Sequence, residues 1–258
     1  MTLLIDADWL LYSGCAACEC DIRWDECIHT LHLDEGDVKD YVASRLEYWR
    51  ELTGDNQIVM CFSDYPTFRH VADSSYKANR IGKRKPLGLS VLRHWMEHNY
   101  ECRSCIGLEA DDVMGLLATG GQYKDPIMVS VDKDMRTIPG QLVANDRVEF
   151  TTIDQANKAW MTQALTGDST DGYQGLKGCG PVKAEKILDD AVELPELWIK
   201  VTAAYRKAGM TYADALHSAR LARILRHGDY DFSTSEVKLW DPAVDPAMRT
   251  ESLTRRSP

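Results

Sequence analysis

No stretch of eighteen or more apolar residues occurs in this chain, so a membrane-spanning helix is not expected. The opening residues, MTLLIDADWLLY, lack the basic stretch and small-residue cleavage site of a secretory leader, and the sequence predicts a soluble cytoplasmic protein. Positive charge is also short: 30 Lys and Arg face 40 Asp and Glu, a formal charge of −10. Cysteine is not scarce, at eight, but zinc-finger or ribbon spacing is missing. Cys15/Cys18 and Cys102/Cys105 are isolated C-x-x-C pairs, and disulfides do not suit a reducing compartment, so reduced and partly buried thiols are expected. The 258 residues, 44% of them hydrophobic, suffice for a large core, in one domain or in a main domain with a smaller appendage.

Three short apolar runs end in acids: TLLID at Asp6, QIVMCFSD at Asp64 and PIMVSVDKD at Asp132 and Asp134. Strands whose carboxyl ends carry functional acids are the habit of parallel sheets. Between them, Asp37 to Leu52 and Leu108 to Leu117 have helical apolar periodicity, and LLYSGCAAC continues a helix-like run. The alternation predicts an α/β fold with a central, mainly parallel sheet flanked by helices on both faces.

Nine carboxylates fall into five clusters: Asp6; Asp64; Glu109, Asp111 and Asp112; Asp132 and Asp134; Asp168 and Asp171. A single strand-end Asp is more often a cap or turn residue. Taken together, and gathered in one cleft, they would repel severely unless multivalent cations sat among them, which predicts two-metal phosphodiester chemistry. Glu109 and Asp112 can share a helix face with Asp111 at the first turn, more acid than capping requires. These nine account for nearly all of the acidic excess, so the low pI does not exclude a polyanionic partner. From Arg69 to His94, seven Lys or Arg stand against one acid, Asp73, a cationic stretch suited to nucleic acid.

Near Asp154 the character changes. DQANKAWMTQALTGD reads as a helix with a capping Asp, and GDSTDGYQGLKGCGPVKAEKILDDA as an acidic turn, a glycine-rich hairpin and a helix opening at Pro181. This is a helix-hairpin-helix pattern, in which Gly178 and Gly180 let main-chain N–H groups approach a phosphate without reading a base. SARLARILRHG looks helical and spaces Arg220, Arg223 and Arg226 by three, following a DNA backbone or forming a solvated face. The tail MRTESLTRRSP is polar and expected to be loose.

Together DADWL, FSD followed by FR, YKANR with KRKP, LEADDVMG, SVDKDMRTIP, GDSTDGYQGLKGCG, LARILR and KLWDP resemble the flap-endonuclease and 5'-nuclease superfamily, within it the phage T7-type 5'→3' exonucleases. The likeness spans nearly the whole chain. It implies a PIN-like 5'-nuclease catalytic domain at 1–153, then a helix-hairpin-helix DNA-binding subdomain and C-terminal helical segment at 154–258. It implies two Mg²⁺ ions, with Mn²⁺ able to substitute: Asp6, Asp64, Glu109 and Asp111, with Asp112 close by, resemble one ligand cluster, and Asp132, Asp134, Asp168 and Asp171 the other. By the same resemblance Lys77 is the catalytic lysine, Arg80 steers phosphate, Tyr76 stacks on a terminal base, and hairpin carbonyls bind K⁺. Lys83, Arg84, Lys85, Lys177, Gly178, Gly180 and Lys183 complete the expected DNA contacts, although Val182 puts Lys183 one residue later than the family pattern.

The implied activity is 5'→3' exonucleolysis of duplex DNA in phage replication or recombination, in the host cytoplasm, with RNA–DNA hybrid as a further substrate. The stretch from Tyr76 to about Tyr100 is short for a flap-threading arch, which favours hydrolysis from an end. The competing enzyme is a structure-specific 5' flap endonuclease. A non-catalytic DNA-binding replication scaffold is the reading from another class, and it requires the acids to be scattered in the fold.

Overall fold

The computed structural model describes residues 1–54 and 57–248; the tail at 249–258, expected to be loose, lies outside the described residues. In chain order come β1 (Thr2–Asp6), α1 (Ala7–Cys18), the hairpin β2 (Cys20–Arg23) and β3 (His29–His32), α2 (Glu35–Thr53), β4 (Gln57–Cys61), α3 (Phe68–Ala72), α4 (Leu89–Asn99), β5 (Glu101–Arg103) and α5 (Ala110–Thr119). They are followed by β6 (Pro126–Val129), β7 (Gly140–Ala144), β8 (Arg147–Thr151), α6 (Ile153–Thr166), the two-residue strands β9 (Gly167–Asp168) and β10 (Tyr173–Gln174), α7 (Pro181–Leu188), α8 (Leu194–Lys207) and α9 (Tyr212–Ala222).

The main sheet has the order β5-β4-β1-β6-β7-β8, parallel except for β8, which returns antiparallel along β7. Both faces are covered, and the strand residues divide by alternation, as a period of two requires. Leu3, Ile5, Ile58, Met60, Ile127 and Val129 face α1, α2 and α4, whereas Leu4, Val59, Cys61 and Met128 face α5. The chain leaves β1 toward β4 and later returns to β6 on its other side, so the order reverses at β1. A crevice opens beyond the strand ends at such a reversal.

A further core joins α6, α7, α8 and α9 through Trp160, Leu165, Leu188, Leu197, Tyr205 and Ala219. Tyr205 donates to the Ala164 carbonyl at 2.6 Å, and the Trp160 indole to the Ala219 carbonyl at 2.8 Å, so two large aromatics are buried without an orphan donor. Several boundaries differ from the sequence reading. Thr152 caps α6 in a box with Gln155, leaving Asp154 inside the first turn, because the Thr152 hydroxyl reaches the Gln155 N–H. The helix expected through LARILRHG stops at Ala222.

The three spaced arginines form no solvated helical stripe, since Arg220 is inside α9 and Arg223 and Arg226 lie beyond its end. Arg220 donates to the Trp240 carbonyl, Arg223 pairs with Asp229 over the Trp160 ring, and Arg226 reaches Asn157 and the Thr137 carbonyl. The segment turns inward at Ile224 and Leu225, and Arg226 ties α6 at Asn157 to the stretch before β7 at Thr137. The cysteines are free thiols. Among the described residues they form no metal-holding group, with Cys15 buried in the core and Cys105 on the other face of the sheet.

Candidate active site

The carboxyl ends of β1 and β6 bring their acids together. Asp6 closes β1 and caps α1, accepting from the Trp9 N–H at 3.0 Å, while the Ser130 hydroxyl just after β6 donates to its other oxygen at 3.1 Å. Burial pushes its pKa up to about 6; the Trp9 N–H and Ser130 hydroxyl partly oppose this, while the Asp8 and Asp132 charges add to it. Asp8 was not singled out in the sequence, yet it accepts from the Ser63 N–H at 2.7 Å and joins the end of β1 to the segment after β4. Its signal was present in DADWL, where it follows Asp6 in the first turn of the helix.

Asp64 lies three residues past β4. One oxygen accepts from the Gly107 N–H at 2.8 Å, and its own N–H donates to the Leu108 carbonyl, which sets it beside Glu109. Glu109 is the N-cap of α5 and forms a capping box with Asp112. The nearest approaches of Glu109, Asp111 and Asp112 oxygens fall within 4.8 Å of one another, the one such group among the described residues.

Their environments separate their roles. Arg69, 2% exposed, grips Asp112 with two bonds of 2.6 and 2.8 Å and touches Glu109 at 3.0 Å. Asp112 also accepts from the N–H groups of Leu225 and Glu109, so both its oxygens are occupied. Glu109 is lowered to about 2: burial opposes its charge, but Arg69 and Lys77 outweigh burial. Asp111 has no cation in direct contact among the described residues, and burial followed by the charges of Glu109 and Asp112 holds its pKa well above the carboxylate range. A carboxylate so placed is an open position for a hard divalent cation.

The second set forms around the loop between β9 and β10. Asp132 is exposed and accepts from the Asp134 N–H at 2.8 Å; Asp168 accepts from the Thr170 and Asp171 N–H groups. Burial pushes Asp134 to about 6, with the charges of Asp132 and Asp168 adding to it. The loop is held against the YKANR segment by backbone: Lys77 N–H donates to the Asp171 carbonyl at 2.7 Å, and the Asn79 amide to the Thr170 carbonyl at 3.1 Å. Lys77 sits at φ +52, and its ammonium lies 2.5 Å from Glu109 and 3.5 Å from Asp171. Burial works against that charge, but Glu109, Asp111 and Asp171 outweigh it and raise the Lys77 pKa. Arg80 pairs with the other oxygen of Asp171 at 2.8 Å.

Tyr76 does not meet the expectation that it stacks on a base. It is 3% exposed, lies 6.4 Å from the Tyr173 ring in a stacked arrangement, and places its single hydroxyl donor within reach of two acceptors, Glu109 at 2.8 Å and Asp171 at 3.0 Å. Both ring faces are inside the core, and the phenol joins the two acid sets instead. The cationic stretch is likewise thinner than its composition implied. Arg84 is held bidentately by Glu19, and Arg93 by Glu97 and the Ser63 carbonyl, which leaves Lys83 and Lys85 exposed and without an ion pair among the described residues. Lys177 and the hairpin glycines are exposed, and Lys183 donates to the Gly178 carbonyl at 3.2 Å. One hairpin carbonyl is thus already met by a side-chain ammonium.

Arg69 was missed as a site residue in its own right, since a buried arginine in PTFRHVA carries no periodic signature. Both the sequence and the fold have relatives among known proteins. Residues 1–168 match the family model described as 5'-3' exonuclease, N-terminal resolvase-like domain. The chain belongs to the 5'-3' exonuclease family. It is 28% identical to the exonuclease of Escherichia phage T7 over 93% of both chains. It is 30% identical to the exodeoxyribonuclease of Enterobacteria phage T3, over 93% of this chain and 92% of that one. Its fold matches the bacteriophage T5 flap endonuclease, solved as a pseudo-enzyme–product complex with DNA and metal ions, with a TM-score of 0.62 at 12% identity over 86% and 88% of the two chains. The PIN-like 5'-nuclease architecture is therefore that of this family member, and no helix among the described residues is long and apolar enough to cross a membrane.

Proposed function

We propose that this 5'-3' exonuclease hydrolyses duplex DNA from 5' ends with two divalent cations, Mg²⁺ or Mn²⁺, taking residues 1–153 as the catalytic part and 154–258 as the DNA-holding part. The observation that carries the reading is the placement of the acids at the end of β1, after β6, at the start of α5 and in the β9–β10 loop: burial raises the pKa values of Asp6, Asp111 and Asp134, neighbouring acids add to that rise, and Lys77 bridges Glu109 and Asp171. The all-oxygen donor set suits a hard cation, as does Asp111, which no cation among the described residues touches directly.

Asp6, Asp64, Glu109 and Asp111 would hold one ion, and Asp132, Asp134, Asp168 and Asp171 the other. Such ions, when bound, lower the pKa of water and stabilise the departing 3' oxygen. Asp112 serves the site by anchoring Arg69, which in turn fixes Glu109. The Tyr76 hydroxyl orients Glu109 and Asp171. Lys77, kept charged by its neighbours, needs only to exchange a carboxylate for a phosphate oxygen to offset charge developing at phosphorus. Arg80, half exposed on Asp171, can make the same exchange with an incoming phosphate.

Lys83, Lys85, Lys177 and the backbone N–H groups around Gly178 and Gly180 would hold the DNA backbone without reading sequence. The short connection from Arg80 to α4 favours end-wise hydrolysis: α4 packs against α1 through Leu92 and Met96 and does not stand free as an arch. A role in phage replication or recombination in a host cytoplasm, with RNA primers as further substrates, is consistent with the phage relatives. The test is product analysis on 5'-labelled duplex, flap and RNA–DNA hybrid in Mg²⁺. Stepwise mononucleotides from the duplex support the exonuclease, one longer oligonucleotide from the flap favours the flap enzyme, and no metal-stimulated turnover overturns both.

A further inference from the structure

A cavity of about 230 Å³ lies beyond the carboxyl ends of β6 and β7, closed on its far side by α1 and α2. It begins where the acid site ends. Ser130 and Asp132 line it, and the Ser130 hydroxyl is the one that reaches Asp6. Its other walls include the indoles of Trp9 and Trp49, 6.2 Å apart between ring centroids, and the apolar Leu142.

Arg45 is the unexplained group in this cavity. It projects from α2 with its guanidinium 5.3 Å from the Tyr48 ring centroid and 5.2 Å from that of Trp49, and no described residue forms an ion pair or hydrogen bond with it. Its Nε is buried and unpartnered. The acids of the wall do not pair with it: neither Asp132 nor Asp146 forms an ion pair with Arg45, and Asp146 accepts instead from the Tyr48 hydroxyl at 2.7 Å. The other arginine of the wall, Arg136, is already paired with Glu149 at 2.9 Å. A stacked guanidinium fork without a carboxylate is built for a planar or tetrahedral oxyanion. The flanking indole and aliphatic surface suits a flat ring.

We infer that this cavity is a subsite for one nucleoside 5'-monophosphate unit: the 5'-terminal nucleotide of the substrate before hydrolysis, and the released mononucleotide after it. The base lies along Trp9 and Leu142, and the phosphate meets Arg45. The size fits one nucleotide and not two, so occupancy fixes the cut at the first internucleotide bond, and the departing product competes with the next substrate end. The inference rests on the nuclease reading for its role in the reaction, but the binding does not depend on turnover.

Titration of the protein with deoxyadenosine 5'-monophosphate in excess EDTA, followed by tryptophan fluorescence and by calorimetry, tests it. The expected result is saturable binding, at least tenfold weaker for deoxyadenosine and for inorganic phosphate alone, and at least tenfold weaker for Arg45→Met, with Arg45→Lys in between. No saturation in the millimolar range, equal binding of deoxyadenosine, or an unchanged affinity in a folded Arg45→Met overturns the subsite. The three-ligand comparison on the parent protein stands even where the variant fails to fold. Nucleotide binding through Arg45 in a protein without Mg²⁺-stimulated cleavage would sink the nuclease reading and leave the subsite; cleavage without that binding would sink the subsite alone.

Discussion

Arg69 shows how one buried cation fixes the site. Its guanidinium compensates Asp112 and Glu109 and also donates to the carbonyls of Leu221 and Arg223, so it joins α5 to the segment after α9. Removing one partner of such a pair strands a buried charge, which costs about 3–5 kcal/mol. Arg69→Met is therefore expected to lower the melting temperature strongly, and an unchanged thermal transition would show that the pairing carries no stability. Asp132 is the opposite case. It is exposed and bears little on the core, so Asp132→Asn should abolish Mg²⁺-dependent cleavage of 5'-labelled duplex while DNA affinity in EDTA stays near that of the parent; activity within a few-fold would remove Asp132 from the metal set. Lys77→Ala should slow single-turnover cleavage far more than it weakens binding, and equal losses would make it an anchor.

Among the elements, the β9–β10 hairpin depends on close backbone approach. Gly167 sits at φ +66, and a Cβ built on Gly175 would lie 2.3 Å from the Gly167 nitrogen, a clash with backbone that no side-chain rotation relieves. Gly175→Ala must spread the strands that hold Asp168 and Asp171. Overpacking of this kind costs about 1–3 kcal/mol, and the expected signature is a loss of cleavage rate larger than the loss of thermal stability predicts. Retained kcat would mean that the loop tolerates the shift. The position of α5 is held in the same way, since Gly115 lies against the Leu225 carbonyl with no room for a Cβ.

For the whole molecule, the gathering of like charges predicts linkage between folding and metal. Mg²⁺ that binds only the folded state stabilises it in proportion to the logarithm of its concentration above the dissociation constant. The melting temperature should therefore rise with Mg²⁺ and return to its starting value in EDTA, and Asp111→Asn should flatten the response; a rise of equal size in that variant would place the ion elsewhere. Global charge governs DNA binding as well. Lys83 and Lys85 are the cations of the basic loop that no described acid neutralises, and a doubly substituted Lys83→Ala, Lys85→Ala protein should show a shallower logarithmic salt dependence, by about 0.9 for each phosphate that the loop no longer neutralises. An unchanged slope would mean that the loop does not meet the DNA backbone.

The strand ends at Asp6, Asp64 and Asp132, the helix start at Glu109 and the hairpin at Gly178 were legible in the sequence because each is a local pattern, a period of two, a cap or a glycine turn, and local sterics decide such things without reference to the rest of the chain. The roles within those patterns were not local. Tyr76 follows directly from YKANR as a residue near the chemistry, but only packing against Tyr173 decides that its ring is inside and its hydroxyl is the useful part. Arg84 and Arg226 are cationic in any reading, yet whether such a cation faces solvent or a protein acceptor depends on which distant segment lies beside it, Glu19 for the one and Asn157 for the other. The sequence determined which charges and turns the chain possesses. Tertiary structure alone decided which charges neutralise one another, because Coulomb energy falls with separation in space and takes no account of separation along the chain.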